Sequence, residues 1–192
     1  MSRRKEFDMT EVLDKATDYF WQHGYEGTSI QDLVQHLGVK AQSLYNAYGG
    51  KRDLFLASLR NYVRQSTVIS TLEQTASGKE AIVKVFRDLL DDLARSECKK
   101  GCFMFNTSVE LAPHDPEIAE FIEKERTRSE LAYYQALLRA KEQGDIPKRH
   151  SDLMALARYL HNAQGGLTVT AKTVSDPSVL EDIAKVTLSI FD

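Results

Sequence analysis

The amino-acid sequence predicts an all-α fold. Two observations carry that prediction, and a third bounds it to a globular chain. Proline occurs only at Pro113, Pro116, Pro147 and Pro177, and between these breaks apolar residues recur at three- and four-residue steps rather than alternating. The hydrophobic share of 42% suits a chain that buries a core rather than a disordered one. About nine helices are expected, in a head of residues 1–50 and a body of residues 51–192.

The first helix begins near Met9, where Val12, Leu13, Ala16, Tyr19 and Phe20 form one stripe, and stops at Gly24. Thr28 or Ser29 can cap a second helix, with Asp32 near its positive end, running to about His36. Leu37-Gly38-Val39 fits a tight corner. A third helix follows over about 40–48, and after Gly49-Gly50 a fourth covers Lys51 to about Ser66, with Leu54, Phe55, Leu59 and Tyr62 on one face. Further helices are expected at about 79–96, 101–112, 116–143, 151–173 and 177–191.

Two short helices joined at a glycine corner form a helix-turn-helix, in which the first braces the second for entry into the DNA major groove. Ile30, Leu33, Val34, Leu37, Val39 and Leu44 supply the inner face. The outer face of the third helix keeps Lys40, Ala41, Gln42, Ser43, Tyr45 and Asn46, with Tyr48 at its end. Amide side chains pair with adenine edges, Lys reaches guanine or phosphate, and hydroxyls suit phosphate oxygens. Singly, each residue reads as a solvated polar position; together with the cap, the corner and Lys51 they point to DNA.

The stretch GYEGTSIQDLVQHLGVKAQSLYNAYGGKRDLF closely resembles the signature of the TetR family of one-component transcriptional regulators, over roughly residues 9–64. The resemblance implies that Gly24-Tyr25 end the first helix, that Thr28 touches phosphate, and that Tyr45 and Lys51 anchor the DNA backbone. Ala47-Tyr48 depart from the family's usual His-Phe pair. The segments DKATDYFWQHGYEGTS and GCFMFNTS are similar to a subgroup that includes ComR-like regulators.

Net charge is −3, which by itself disfavours a nucleic-acid partner. Placement matters more: residues 1–65 carry nine basic against eight acidic side chains, and Arg3, Arg4 and Lys5 form a basic arm. No apolar run reaches the roughly 18 residues of a membrane helix and the N-terminus lacks a signal-like segment, so a cytoplasmic protein without a membrane partner is expected.

The family resemblance implies a body that dimerises and encloses an effector site. For the dimer, Leu156, Leu160, Ala163, Leu167, Ile183, Val186 and Ile190 have the spacing of two packed helices, which would build a four-helix bundle between copies; the alternative is one internal core stripe. For a small-molecule effector the candidates are Phe86, Leu90, Phe103, Met104, Phe105, Phe121, Tyr133, Tyr134, Leu137 and Asn162, each of which also fits plain core. Cys98 and Cys102 flank Lys99-Lys100, an environment that favours thiolate and raises a redox- or electrophile-sensing alternative; the plainer reading is a buried thiol and a loop thiol. No metal, cofactor or enzymatic motif is expected. The sequence thus points to a homodimeric regulator of a double-stranded operator, a repressor by expectation and an activator as the alternative.

Overall fold

The computed structural model describes residues 8–95 and 100–192. Arg3, Arg4, Lys5, Cys98 and Lys99, singled out above, lie outside the described residues. Among the described residues there are ten α-helices and no strand: α1 Met9–His23, α2 Ile30–Leu37, α3 Ala41–Tyr48, α4 Lys51–Gln65, α5 Val68–Gln74, α6 Gly78–Arg95, α7 Phe103–Glu110, α8 Pro116–Glu142, α9 Leu153–Thr170 and α10 Pro177–Leu188, closed by a 3-10 turn Ser189–Phe191.

The nine expected helices are present, and α5 is additional. Its two turns carry no side-chain cap, so the start signal seen at α1, α2, α9 and α10 is missing. It is held by burial of Leu72. Local chemistry accounts for three further helix starts. Asp8 caps α1 through the Thr10 amide at 2.9 Å, Asp152 caps α9 through Ala155 at 2.9 Å, and Asp176 caps α10 through Ser178 at 3.0 Å.

Two compact units form. The first comprises residues 8–66 and 103–119, and the second the remaining described residues. The expected division at residue 50 therefore differs from the contact-based one, because α4 lays Leu54, Phe55 and Leu59 into the head's core and α7 joins it through Phe103. Within the first unit an edge-to-face aromatic chain runs from Phe20 to Phe55 (5.0 Å) to Phe103 (5.5 Å) to Tyr62 (5.8 Å).

Polar contacts fix α4 on α1. The buried Asn61 amide donates to Asp14 at 2.7 Å and to Thr17 Oγ1 at 3.1 Å, and its oxygen accepts from Arg64. Gln65 adds a second donor to Asp14 at 2.7 Å. These bonds give the α1–α4 contact a register that apolar packing alone does not impose.

The second unit has its own core, with Ile82, Phe86, Tyr133, Leu137, Leu160 and Leu167 fully buried. Near its α6 end, Gln143 accepts the Gly78 amide at 3.0 Å and Arg139 donates to the Leu72 carbonyl. Polar pairs line the facing sides of α8 and α9: Tyr133 Oη donates to Gln164 Oε1 at 2.9 Å, His161 Nδ1 meets Ser129 Oγ at 3.1 Å, and Glu130 pairs with Arg126 and, at 3.6 Å, with Arg158. Burial lowers the His161 imidazole below its ordinary value, against the opposing pull of Glu130. The ring is accordingly neutral near pH 7.

Replacing Asn61 by Ala should lower the stability of the first unit by about 1–2 kcal/mol, since Thr17 loses this donor and Asp14 keeps only Gln65. Urea unfolding followed by Trp21 fluorescence checks this.

Candidate nucleic-acid interface

The second and third helices are pinned by a cap and a corner. Ser29 Oγ accepts the Asp32 amide at 3.1 Å, while Asp32 Oδ2 accepts from the Ser29 amide at 2.9 Å and the Ser29 hydroxyl at 2.6 Å, a reciprocal capping box. The hydroxyl and amide of Ser29 hold the Asp32 carboxyl below its ordinary value. Of the two cap candidates, Ser29 takes the role. Gly38 then turns the chain in the left-handed region, at φ 66° and ψ 25°, where a side chain would be strained.

Between them, Leu33 and Leu44 are buried at 0% and 2% exposure. That burial leaves an outward ridge on α3: Lys40, Ala41, Gln42, Tyr45 and Asn46 are exposed, and Ser43 is partly so. Gln42 Nε2 donates to Asn46 Oδ1 at 2.9 Å, so two amides one turn apart stand as a preordered pair. Tyr45 is 47% exposed, an amphipathic ring presented to solvent.

Three of the expected contact residues also make internal bonds. Thr28 is 1% exposed, and its hydroxyl donates to the Gly24 carbonyl at 2.7 Å. Tyr48 Oη donates to the Met9 carbonyl at 3.4 Å and ties α3 to α1; burial raises its phenol. Lys51, expected as a backbone anchor for DNA, donates to the carbonyls of Tyr25 at 2.9 Å and Thr28 at 2.8 Å. Its ammonium also lies 4.0 Å from the centroid of the Tyr25 ring. Two of its three protons are spent on the α1–α2 connection, so it is first a clamp of the head.

Arg52 is paired with carboxylates. It grips Asp115 with Nε at 3.2 Å and Nη2 at 3.0 Å and reaches Glu117 at 2.8 Å. Burial pushes the Asp115 carboxyl up, but the Ile118 amide and Arg52 outweigh it and hold the group below its ordinary value. A run of Lys51-Arg52 advertises a basic patch; folding commits both to internal acceptors. Glu110 is a further residue that motif reading passed over, since it lies outside the head's sequence and accepts the amides of Tyr25 and Glu26.

The residues proposed for dimerisation and effector binding divide as well. Leu160, Leu167 and Ile190 point into the second unit's own core, and Leu156, Ala163 and Ile183 pack partly against it. Only Val186 of that set stands well exposed, at 68%, while Tyr159 and Val169 on α9 are also exposed. Helical spacing had marked the inward stripe. Of the effector candidates, Phe103 is buried in the first unit's aromatic chain and Met104 and Phe105 lie in the same helix. Phe86, Tyr133 and Leu137 are fully buried in the second core, with Leu90 and Tyr134 packed against it, while Phe121 is partly exposed and Asn162 exposed. Cys102 lies partly buried just before α7. Among the described residues no cluster of three metal-ligating side chains occurs and no helix is long and apolar enough to cross a membrane.

A capped helix, a glycine corner and a braced helix with a polar outward ridge define a helix-turn-helix DNA-reading protein. The model of bacterial regulatory proteins of the tetR family matches residues 12–58, and the tetracyclin repressor-like C-terminal domain matches residues 78–187. The chain belongs to the TetR family of transcriptional regulators. It is 44% identical to the uncharacterized HTH-type transcriptional regulator YezE of Bacillus subtilis over 100% of both chains. It is 32% identical to the HTH-type transcriptional repressor ComR of Escherichia coli, covering 98% of this chain and 91% of that protein. Among solved structures, a cysteine mutant of the TetR family regulator CifR complexed with 26bp double-strand operator DNA matches at a TM-score of 0.86 with 25% identity over 100% of both chains.

Lys51→Ala should destabilise the first unit by about 1–2 kcal/mol through loss of two charge-assisted bonds on a partly exposed group. Urea denaturation of the full chain measures it, and a variant as stable as the parent would remove the clamp from the account.

Proposed function

We propose that this chain is a cytoplasmic, homodimeric transcriptional repressor that binds an inverted-repeat operator and is released by a small-molecule effector. The observation that carries the reading is the exposed α3 ridge of Lys40, Gln42, Tyr45 and Asn46 on a head whose core is otherwise closed. The names of its relatives support it: ComR is a repressor, and a cysteine mutant of CifR is complexed with operator DNA.

In this reading the paired amides of Gln42 and Asn46 address base edges in the major groove, and Lys40 and Tyr45 meet phosphates. A two-fold dimer carries two such ridges about 34–36 Å apart, on successive turns of the groove. The exposed Tyr159, Val169 and Val186 on α9 and α10 support self-association by these helices, with Ala163 and Gly166 allowing close approach. An effector bound in the second unit lowers DNA affinity by its preference for one head spacing over another, typically ~1–3 kcal/mol.

Mobility shift with the DNA upstream of the chain's own gene tests the reading, and absence of a salt-sensitive complex there and in a genome-wide capture would refute it. Within that assay Gln42→Ala should relax preference at one base position by ~1–3 kcal/mol while leaving random-sequence binding unchanged. Val186→Glu should yield a folded monomer by sedimentation, because a charge on an exposed apolar contact opposes association.

A further inference from the structure

The connection between α1 and α2 is held by a carboxylate far away in sequence. Glu110, the last residue of α7, accepts the Glu26 amide on Oε1 at 2.8 Å and the Tyr25 amide on Oε2 at 3.2 Å. Gly24 makes the approach possible. A Cβ there would lie 2.9 Å from both Glu110 oxygens and push the carboxylate away from the loop, and the residue sits at φ 74°, where a side chain is strained.

The contact is not needed to finish either helix. The Gly24 amide already closes α1 on the Phe20 carbonyl at 2.8 Å, and α2 has its Ser29–Asp32 box. Glu26 is exposed, so water would satisfy its amide without Glu110. What the carboxylate adds is direction. It seizes the Tyr25 peptide from the amide side while Lys51 holds the Tyr25 carbonyl from the α4 side, and the Tyr25 ring rests on Phe55 at 5.0 Å. Opposite charges on two helices thereby fix one residue in the loop that leads into α2.

We propose that Glu110 is a positioning residue for DNA recognition, setting through the Tyr25–Glu26 amides the angle at which α2 presents α3. This rests on the DNA-reading function proposed above. A bidentate carboxylate on two adjacent amides is directional, and its loss lets the loop pivot about the Lys51 contact without unfolding the head's core.

Full-length Glu110→Ala and Glu110→Gln decide the matter through two readouts. Hydrogen exchange at the Tyr25 and Glu26 amides reads the contact itself, and binding to the upstream DNA against random duplex at several salt concentrations reads its consequence. Glu110→Ala should expose both amides to exchange and weaken specific binding about ten-fold, with random-duplex affinity and salt slope as in the parent. Glu110→Gln, which keeps one acceptor oxygen, should recover part of the loss. An unchanged ratio of specific to random binding overturns the positioning role, as does an equal loss on both duplexes, which signals a merely weakened fold. Rapid exchange of these amides in the parent protein removes the contact. If the parent selects no duplex at all, the DNA reading falls and the positioning role with it, while slow exchange would still leave the Glu110 contact standing.

Discussion

The head of this regulator depends on how four residues of non-helical backbone are held. Between Gly24 and Ser29 the chain turns from α1 into α2. Its carbonyls at Tyr25 and Thr28 receive the Lys51 ammonium, and its amides at Tyr25 and Glu26 are taken by the Glu110 carboxylate. Thr28 closes the same loop on Gly24. Because α2 is only eight residues long, it has little intrinsic stability as a helix. Its place, and that of α3, follows from this anchorage and from the burial of Leu33 and Leu44.

Charge is distributed in an unexpected way for a DNA-reading face. The two cations that follow the glycine pair are both committed to internal acceptors, Lys51 to carbonyls and Arg52 to Asp115 and Glu117. At the start of α3 its N-cap Lys40 is the basic residue, and the rest of the ridge is amide, hydroxyl and aromatic. Under the proposed DNA-reading function, such a surface would gain less from nonspecific attraction to phosphate and more from directed hydrogen bonds, which suits discrimination between sequences in a chain of net charge −3.

The second unit is built on a different compromise. Its core is aliphatic and aromatic, but the facing sides of α8 and α9 carry Tyr133 with Gln164, Ser129 with His161, and Glu130 with its two arginines. Burial pushes the Tyr133 phenol well above its ordinary range, so it acts as a neutral donor. Paired polar groups between helices are directional, and they specify one register where apolar side chains alone would tolerate several.

The elements were legible in the sequence because their signals are local. Ser29 caps α2, Gly38 turns the corner, and the apolar steps from Val12 to Phe20 mark a buried face, whereas the caps Asp8, Asp152 and Asp176 emerge only in the structure. The polar ridge of α3 could be read because Leu44 must face inward, which sends Gln42, Tyr45 and Asn46 out. The family and the all-α class follow from that stretch of chain. Tertiary structure alone decided which polar residues remain for a partner. Lys51 is spent on acceptors 23 and 26 residues away, Glu110 on amides 84 and 85 residues away, and Leu160 and Leu167 turn into their own unit's core rather than outward. A side chain's commitments depend on which groups folding brings within about 3 Å of it, and no periodicity in the sequence records that distance.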